Sequence, residues 1–494
     1  MQAIKNDQPV LGASSEAKLA HTQREDVNPV HRVACAPFGD HQDPKHPPVS
    51  DLEISPLPVY AGGSTVLDQY FEIAKDANPI FSKANFLNNY RNSVCDQGLI
   101  IVIVTITARL TGFKLFPDEA TLNARIDLLL GSSLLEDDLV GDSPSLDQFR
   151  KACVLALYDF HQFPGHQSWM RITRLTRMAY RIGLDRLEPL RALYPDWGCL
   201  SKEDIQEWRS VWWCIYRLDS YTNLSSGTPY LIDNKFVNTS LILDQQTAPD
   251  GETNPPTLYL PPDSEDLWRL LPTITANPCT QLQNIHIVSI AAMRQAGLVA
   301  GIRLLRPESE MATHLAKFER HLSALSLALP PGWFNPRRNA FTNESPGNHH
   351  ARLITVFHLH MSKLLSSIIV CGRTAEDGWL GSWQRVLETC QDIAQIAGQW
   401  NSSFCMQVDP AICFIIFTAL IFLDLHMKST AMGSPELQSH IDHDQTVLRL
   451  QLEHFARDWT LPRLLTCELP IHTSKKRDWA NHGIQYHSQA SANQ

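Results

Sequence analysis

Several groups of residues in this 494-residue chain have the types, though not always the spacing, that chemistry needs. Glu136, Asp137, Asp138 and Asp142 form an acidic run. Such runs can hold magnesium and a diphosphate, the chemistry of an all-α enzyme of the terpene cyclase type. The spacing argues against it, because Asp142 stands four residues beyond Asp138 rather than three and no Asn/Ser/Glu partner motif follows. Flanked by Gly131, Ser132, Gly141 and Pro144, the run reads as a solvated loop. Cys35, His41 and His46 offer one thiolate and two imidazoles without a second cysteine nearby, so they do not make a two-Cys, two-His finger. His349 and His350 are adjacent in a stretch that reads as a loop. His358 and His360, two apart on a helix, face different ways and make a poor ligand pair. Arg177 and Arg181 are one helical turn apart and could clamp an acidic effector, but a solvated face, or pairing with Asp185 or Glu188, accounts for them as well. The sequence contains no Gly-x-Ser-x-Gly elbow, phosphate-cradling loop, His-Glu-x-x-His or dinucleotide fingerprint. We therefore assign no catalytic, cofactor or metal site from the sequence.

The elements that would carry these residues follow from composition and period. A hydrophobic fraction of 44% beside 19% charged residues is the balance of a chain that buries a large core. The net charge of −10 repels phosphate unless basic residues cluster, and the basic runs are short: Lys475, Lys476 and Arg477, and Arg337 with Arg338. Eleven cysteines, the nearest pair being Cys405 and Cys413, suit neither a disulfide framework nor a Cys-x-x-Cys knuckle and point to a reducing compartment. The apolar runs Leu99 to Ile106 and Ala411 to Leu423 are shorter than the roughly 18 to 20 residues that span a bilayer and read as buried helices.

Residues 1 to about 62 are rich in Pro, His, Asp, Asn and Gln and read as a flexible arm; 471 to 494 read as a flexible tail. Proline-rich loops fall near 245–266 and 330–350. Between them apolar residues recur three or four apart. After Trp169 come Ile172, Leu175, Met178, Ala179 and Ile182, with Arg171, Arg174, Arg177 and Arg181 on another face and Gly183 at the helix end. The stretches 279–304, 311–329, 352–370, 383–400, 410–427 and 442–459 read as helices in the same way. No alternating strand pattern competes. An all-α, multi-helix array over 63–470 is expected.

The signature residues, kept in order, resemble the fungal-specific transcription factor domain, the middle homology region that follows zinc-cluster DNA-binding modules. The resemblance opens at Asp68-Gln69-Tyr70-Phe71, Pro79-Ile80-Phe81 and Phe86, and continues through Leu99 to Gly112. It is strongest over 153–188, where Trp169, the Arg177-Met178-Ala179 triplet and Gly183-Leu184 stand as in the family. Glu207, Arg209, Val211, Trp212, Trp213, Leu218 and Asp219 follow, and Gly227-Thr228-Pro229 stands where the family often has Gly-Arg-Pro. Leu329-Pro330, Phe357 to His360, Cys390, Ala394 and Trp459 are similar in kind to later family helices.

The resemblance implies a transcription regulator of the nucleus, commonly one that controls metabolic or secondary-metabolite genes, with the transcription machinery or a DNA-binding protein as partner and possible homodimerisation. It implies no enzyme activity. Read as residues, Tyr70, Phe71, Pro79, Trp169, Gly183, Arg209, Trp212, Trp213, Asp219, Gly227 and Pro229 are expected to pin helices into a core rather than to touch a ligand. Family members carry an N-terminal module in which six cysteines bind two zinc ions. Here the first 94 residues hold Cys35 alone, so zinc is expected only if a cysteine cluster lies upstream, and the DNA-binding module is either lost, encoded upstream or supplied by a partner. The second functional reading is an effector-sensing or partner-dependent co-regulator using pockets between helices.

Overall fold

Local signals start and stop the helices that position the candidate sites. The computed structural model describes residues 63–74, 79–131, 144–242, 257–302, 308–339, 343–371, 379–429 and 434–467, all within one unit spanning 56–494. Its first helices are α1 (Gly63–Ala74), α2 (Lys83–Arg91), α3 (Gln97–Thr111) and α4 (Glu119–Leu130). Asp96 caps α3 by accepting from Leu99 N at 2.8 Å, and Gly112, at φ +67°, ends it. α5 (Leu146–Gln162) opens on a capping box in which Ser145 and Gln148 bond each other's backbone.

Next come α6 (His166–Arg181), the short α7 (Leu187–Leu193) and α8 (Pro195–Gly198), and the long α9 (Lys202–Ser226), capped by Ser201 and ended by Gly227 at φ +67°. The second half holds α10 (Leu267–Thr275), α11 (Gln281–Ile302), α12 (Glu308–Ala328), α13 (Pro346–Cys371), α14 (Trp379–Ala397), α15 (Pro410–Ser429), α16 (Pro435–Phe455) and α17 (460–467). Among the described residues there is no strand; one isolated antiparallel bridge joins Ser240 to Tyr259.

α9 packs on α5, α6, α11 and α15, and α11, α13, α14 and α15 continue the array, with α16 against α14 and α15. One large core runs through these helices, with Trp212, Tyr216, Phe149 and Phe357 among its fully buried side chains. A smaller apolar cluster forms where α1 meets α2 and α3.

Three sequence expectations change. His349 and His350 lie in the first two turns of α13 rather than in a loop, because Ser345 caps the helix (Asn348 N to Ser345 Oγ, 3.1 Å) and Pro346 occupies its first position. α16 starts at Pro435 rather than near 442 for a related reason, proline at the first turn after Ser434. Arg171 does not share the solvated face of Arg174, Arg177 and Arg181. It turns inward, donating from Nε to Asp159 Oδ2 and from Nη2 to the Leu130 carbonyl, both at 2.7 Å. α15 is also longer than its apolar run: at 20 residues it could cross a bilayer by length, but Ile412, Ile415, Ile416, Ala419, Leu420 and Leu423 are buried inside the protein.

Candidate functional site

The signature residues gather around α9 and the segments it holds. Tyr70 and Phe71, both buried on α1, meet Phe81 and Phe86 edge to face, and Tyr70's phenol is pushed far up by burial. Half-buried Pro79 precedes Ile80, whose carbonyl accepts from Arg150 Nε at 3.3 Å; Arg150 also pairs with Asp147 at 2.9 Å and Glu207 at 2.7 Å. This one guanidinium therefore ties the Pro79 segment to α5 and α9. Trp169 donates from Nε1 to Asn223 Oδ1 at 3.3 Å. Gly183, at φ +81°, supplies the left-handed turn between α6 and the 3₁₀ turn Leu184–Arg186.

On α9, Arg209 bonds Glu188 of α7 at 2.9 Å, and the same carboxylate accepts from Ser240 N at 3.0 Å. Glu188 thus pairs with Arg209. Trp212 and Trp213 are both buried and point to different neighbours: Trp212 meets Tyr180 edge-on at 5.8 Å, and Trp213 donates from Nε1 to the Ser240 carbonyl at 2.9 Å. Asp219 is fully buried and accepts from Leu231 N, Ile232 N, Asn223 Nδ2 and Arg294 Nη1 at 3.1, 3.2, 2.7 and 2.8 Å. Arg294, itself 3% exposed on α11, lies over the rings of Tyr216 and Tyr230. The turn through Gly227, Thr228 and Pro229 is thereby folded back onto α9, with Thr228 Oγ1 donating to Asn223 Oδ1 at 2.7 Å. Arg294 was invisible as a partner in the sequence, since 75 residues separate it from Asp219.

A surface groove of about 700 Å³ opens elsewhere, between α12, α13, α14 and the turn 331–336. Volumes of this order accept drug-sized molecules. Arg352 anchors the turn, donating to the Trp333 carbonyl at 2.7 Å and to Glu344 at 2.7 Å. Phe334 stands edge-on to His360 at 5.9 Å, and Leu322, Leu327 and Ile396 supply apolar wall. His360 Nδ1 is buried without a hydrogen-bond partner, 3.6 Å from Asp392 Oδ2, and burial pushes its pKa down to about 3, so the ring is neutral. Burial also raises the Asp392 carboxyl, opposed by the Lys363 ammonium 3.6 Å away. Lys363 and Arg385 balance Asp392 and Glu319 in formal charge.

His358 and His360 do face apart, His360 into this groove and His358 into the interior, where it bonds Ser289. The acidic run Glu136, Asp137, Asp138 and Asp142, and the group Cys35, His41 and His46, lie outside the described residues.

The described residues thus form a helical body organised on α9, with a groove at its surface and buried ion pairs in its core. The chain belongs to the fungal specific transcription factor domain family, which matches residues 67–399. That match spans the signature core and the groove alike. No curated protein and no solved structure matches the chain.

Proposed function

We propose that this protein is a nuclear transcription regulator of fungal type, acting on a set of metabolic or secondary-metabolite genes, whose helical body senses a small molecule in the groove between α12, α13 and α14. The observation that carries the reading is the family match over 67–399 on an all-helical body. Within it, the buried signature residues keep helices in register, and the groove is the surface available for an effector. Its balanced charges favour a net-uncharged molecule, and its Leu322, Leu327, Ile396 and Phe334 walls favour an apolar body. Contact with DNA is through a partner or a zinc module, not through this acidic body.

Fusing the full chain to a heterologous DNA-binding module tests the regulatory role. Reporter output several-fold away from that of the module alone, with the tagged native chain in the nucleus, is expected. A fusion equal to the module alone and a cytoplasmic chain would remove the reading. Ser326→Trp, which fills the groove from α12, is expected to abolish responsiveness of the fusion to culture conditions while shifting Tm by no more than about 2 °C, as for a surface change within about 0.5 kcal/mol.

A further inference from the structure

Two residues before His360 on α13, His358 belongs to a second polar centre that the proposed function does not use. There α9, α11, α13 and the start of α15 meet around Asp409, which is 5% exposed. Asp409 Oδ1 accepts from Ala411 N at 3.0 Å, which turns Oδ2 toward the centre. Oδ2 accepts from the Tyr221 hydroxyl and lies 3.6 Å from His286 Nε2, and Tyr221 Oη is 3.2 Å from the same nitrogen. A nitrogen of His286, a nitrogen of His358 and a carboxylate oxygen of Asp409 all fall within 4.8 Å of one another, a grouping unique among the described residues.

Ser289 Oγ lies 2.7 Å from the His286 carbonyl and 3.1 Å from His358 Nδ1. With its one hydrogen on the carbonyl, the hydroxyl accepts from His358 Nδ1–H, and Nε2 is then a bare lone pair. That nitrogen is fully buried and has no hydrogen-bond partner. A buried histidine held through one nitrogen by a hydroxyl, with the other unpartnered and with a carboxylate and a second imidazole close by, has the makings of a metal ligand with its outer shell in place. Ligand atoms about 2.0 to 2.1 Å from a tetrahedral ion are about 3.3 Å apart; the two distances to His286 Nε2, 3.6 and 3.2 Å, are near that value, whereas Tyr221 Oη and Asp409 Oδ2 lie at hydrogen-bond distance, 2.5 Å, and must part by about 1 Å to share an ion.

We propose that His286, His358 and Asp409, with Tyr221 as fourth ligand, bind one divalent cation of the zinc type, pinning α9, α11, α13 and α15 together. Two imidazole nitrogens and two oxygens suit a borderline ion in four-coordination. Arg217, buried in the same neighbourhood, opposes a second cation. The Asp409 charge and the release of the Tyr221 phenolic proton to solvent offset it. Ligation through His286 Nε2 requires that neutral ring to carry its one proton on Nδ1, so a proton resting on Nε2 moves to Nδ1 as the ion binds. This site is independent of the groove and of any cysteine cluster.

The test uses purified full-length chain stripped by chelator and titrated with Co²⁺, then Zn²⁺. One equivalent of Co²⁺ is expected to give the intense visible bands of four-coordination, to be displaced by zinc, and to raise Tm. His358→Gln should lose both bands and Tm rise. Ser289→Ala, which leaves every ligand in place, should weaken Co²⁺ binding by about 10- to 100-fold, and His360→Gln on the same helix should not change it. If His358→Gln fails to fold, the Ser289→Ala and His360→Gln pair decides. Absence of bands and Tm rise in the native chain would reduce the centre to a hydrogen-bonded polar core. Bands that persist in folded His358→Gln, or that Ser289→Ala leaves unchanged, would place the metal elsewhere, such as on the histidines of the first 62 residues, and overturn the assignment.

Discussion

Trp212 and Trp213 sit side by side on α9, and their indoles meet different chemistry. Trp213 Nε1 is bonded to the Ser240 carbonyl, whereas Trp212 Nε1 is buried without a partner. Trp213→Ala is expected to cost about 3 to 5 kcal/mol by leaving a cavity, read as a fall in the denaturation midpoint. Trp213→Phe should cost about 1 to 3 kcal/mol beyond its lost volume, since the Ser240 carbonyl loses its donor. Trp212→Phe loses no bond and should be the milder of the two. A Trp213→Ala protein with unchanged Tm but no reporter activity would show that the residue works in function rather than in packing. The Asp219–Arg294 pair is a second residue-scale case. Arg294→Met strands a buried carboxylate and is expected to cost about 3 to 5 kcal/mol, well above any single exposed pair such as Lys83 with Glu72.

At the scale of elements, the approach of α11 to the turn after α9 depends on one missing side chain. A Cβ on Gly297 would meet Tyr230 Oη at 2.5 Å and Leu224 Cδ1 at 2.8 Å. Gly297→Ala therefore forces the Tyr230 segment outward and is expected to cost about 1 to 3 kcal/mol by overpacking. Tyr230→Phe removes the nearer clashing atom and should recover part of that loss in a double-mutant cycle of thermal melts. The helices themselves were legible in the sequence, because a 3.6-residue apolar period survives any tertiary arrangement. Their starts were less so: Ser345 caps α13 and Pro346 and Pro435 occupy the first positions of α13 and α16, but these residues lie in polar stretches where the period is silent. Arg171 shows the complementary limit. It shares the spacing of Arg174, Arg177 and Arg181, and only the nearness of Asp159 and the Leu130 carbonyl turns it inward.

Across the whole molecule, buried histidines set the response to pH. Burial holds His161, stacked on Trp459, and His350, stacked on Phe404, down to about 4, and His360 down to about 3. The unfolded chain keeps its histidines near 6.5, so below that pH the unfolded state binds more protons. Stability is therefore full above about pH 6.5 and falls as the pH drops toward 4, by about 1 kcal/mol per histidine at pH 5.5. Tm should decline steeply between pH 7 and pH 5, and His161→Phe should flatten part of that decline. A Tm independent of pH over this range would contradict the neutral, buried state of these rings.

The sequence by itself determined the helical class, the order of the apolar helices and the family, because period, caps and ordered signature residues are local properties of the chain. Tertiary structure alone decided which polar residues meet. Asp219 and Arg294 are 75 positions apart, Tyr221 and Asp409 are 188 apart, and the groove is walled by three helices and a turn. Each of these depends on how helices cross, and a helix presents many residues at the same spacing of which packing selects only a few. His358 and His360 show this most directly: the helical period separates them onto different faces, and only the neighbouring helices give one a groove and the other a buried polar centre.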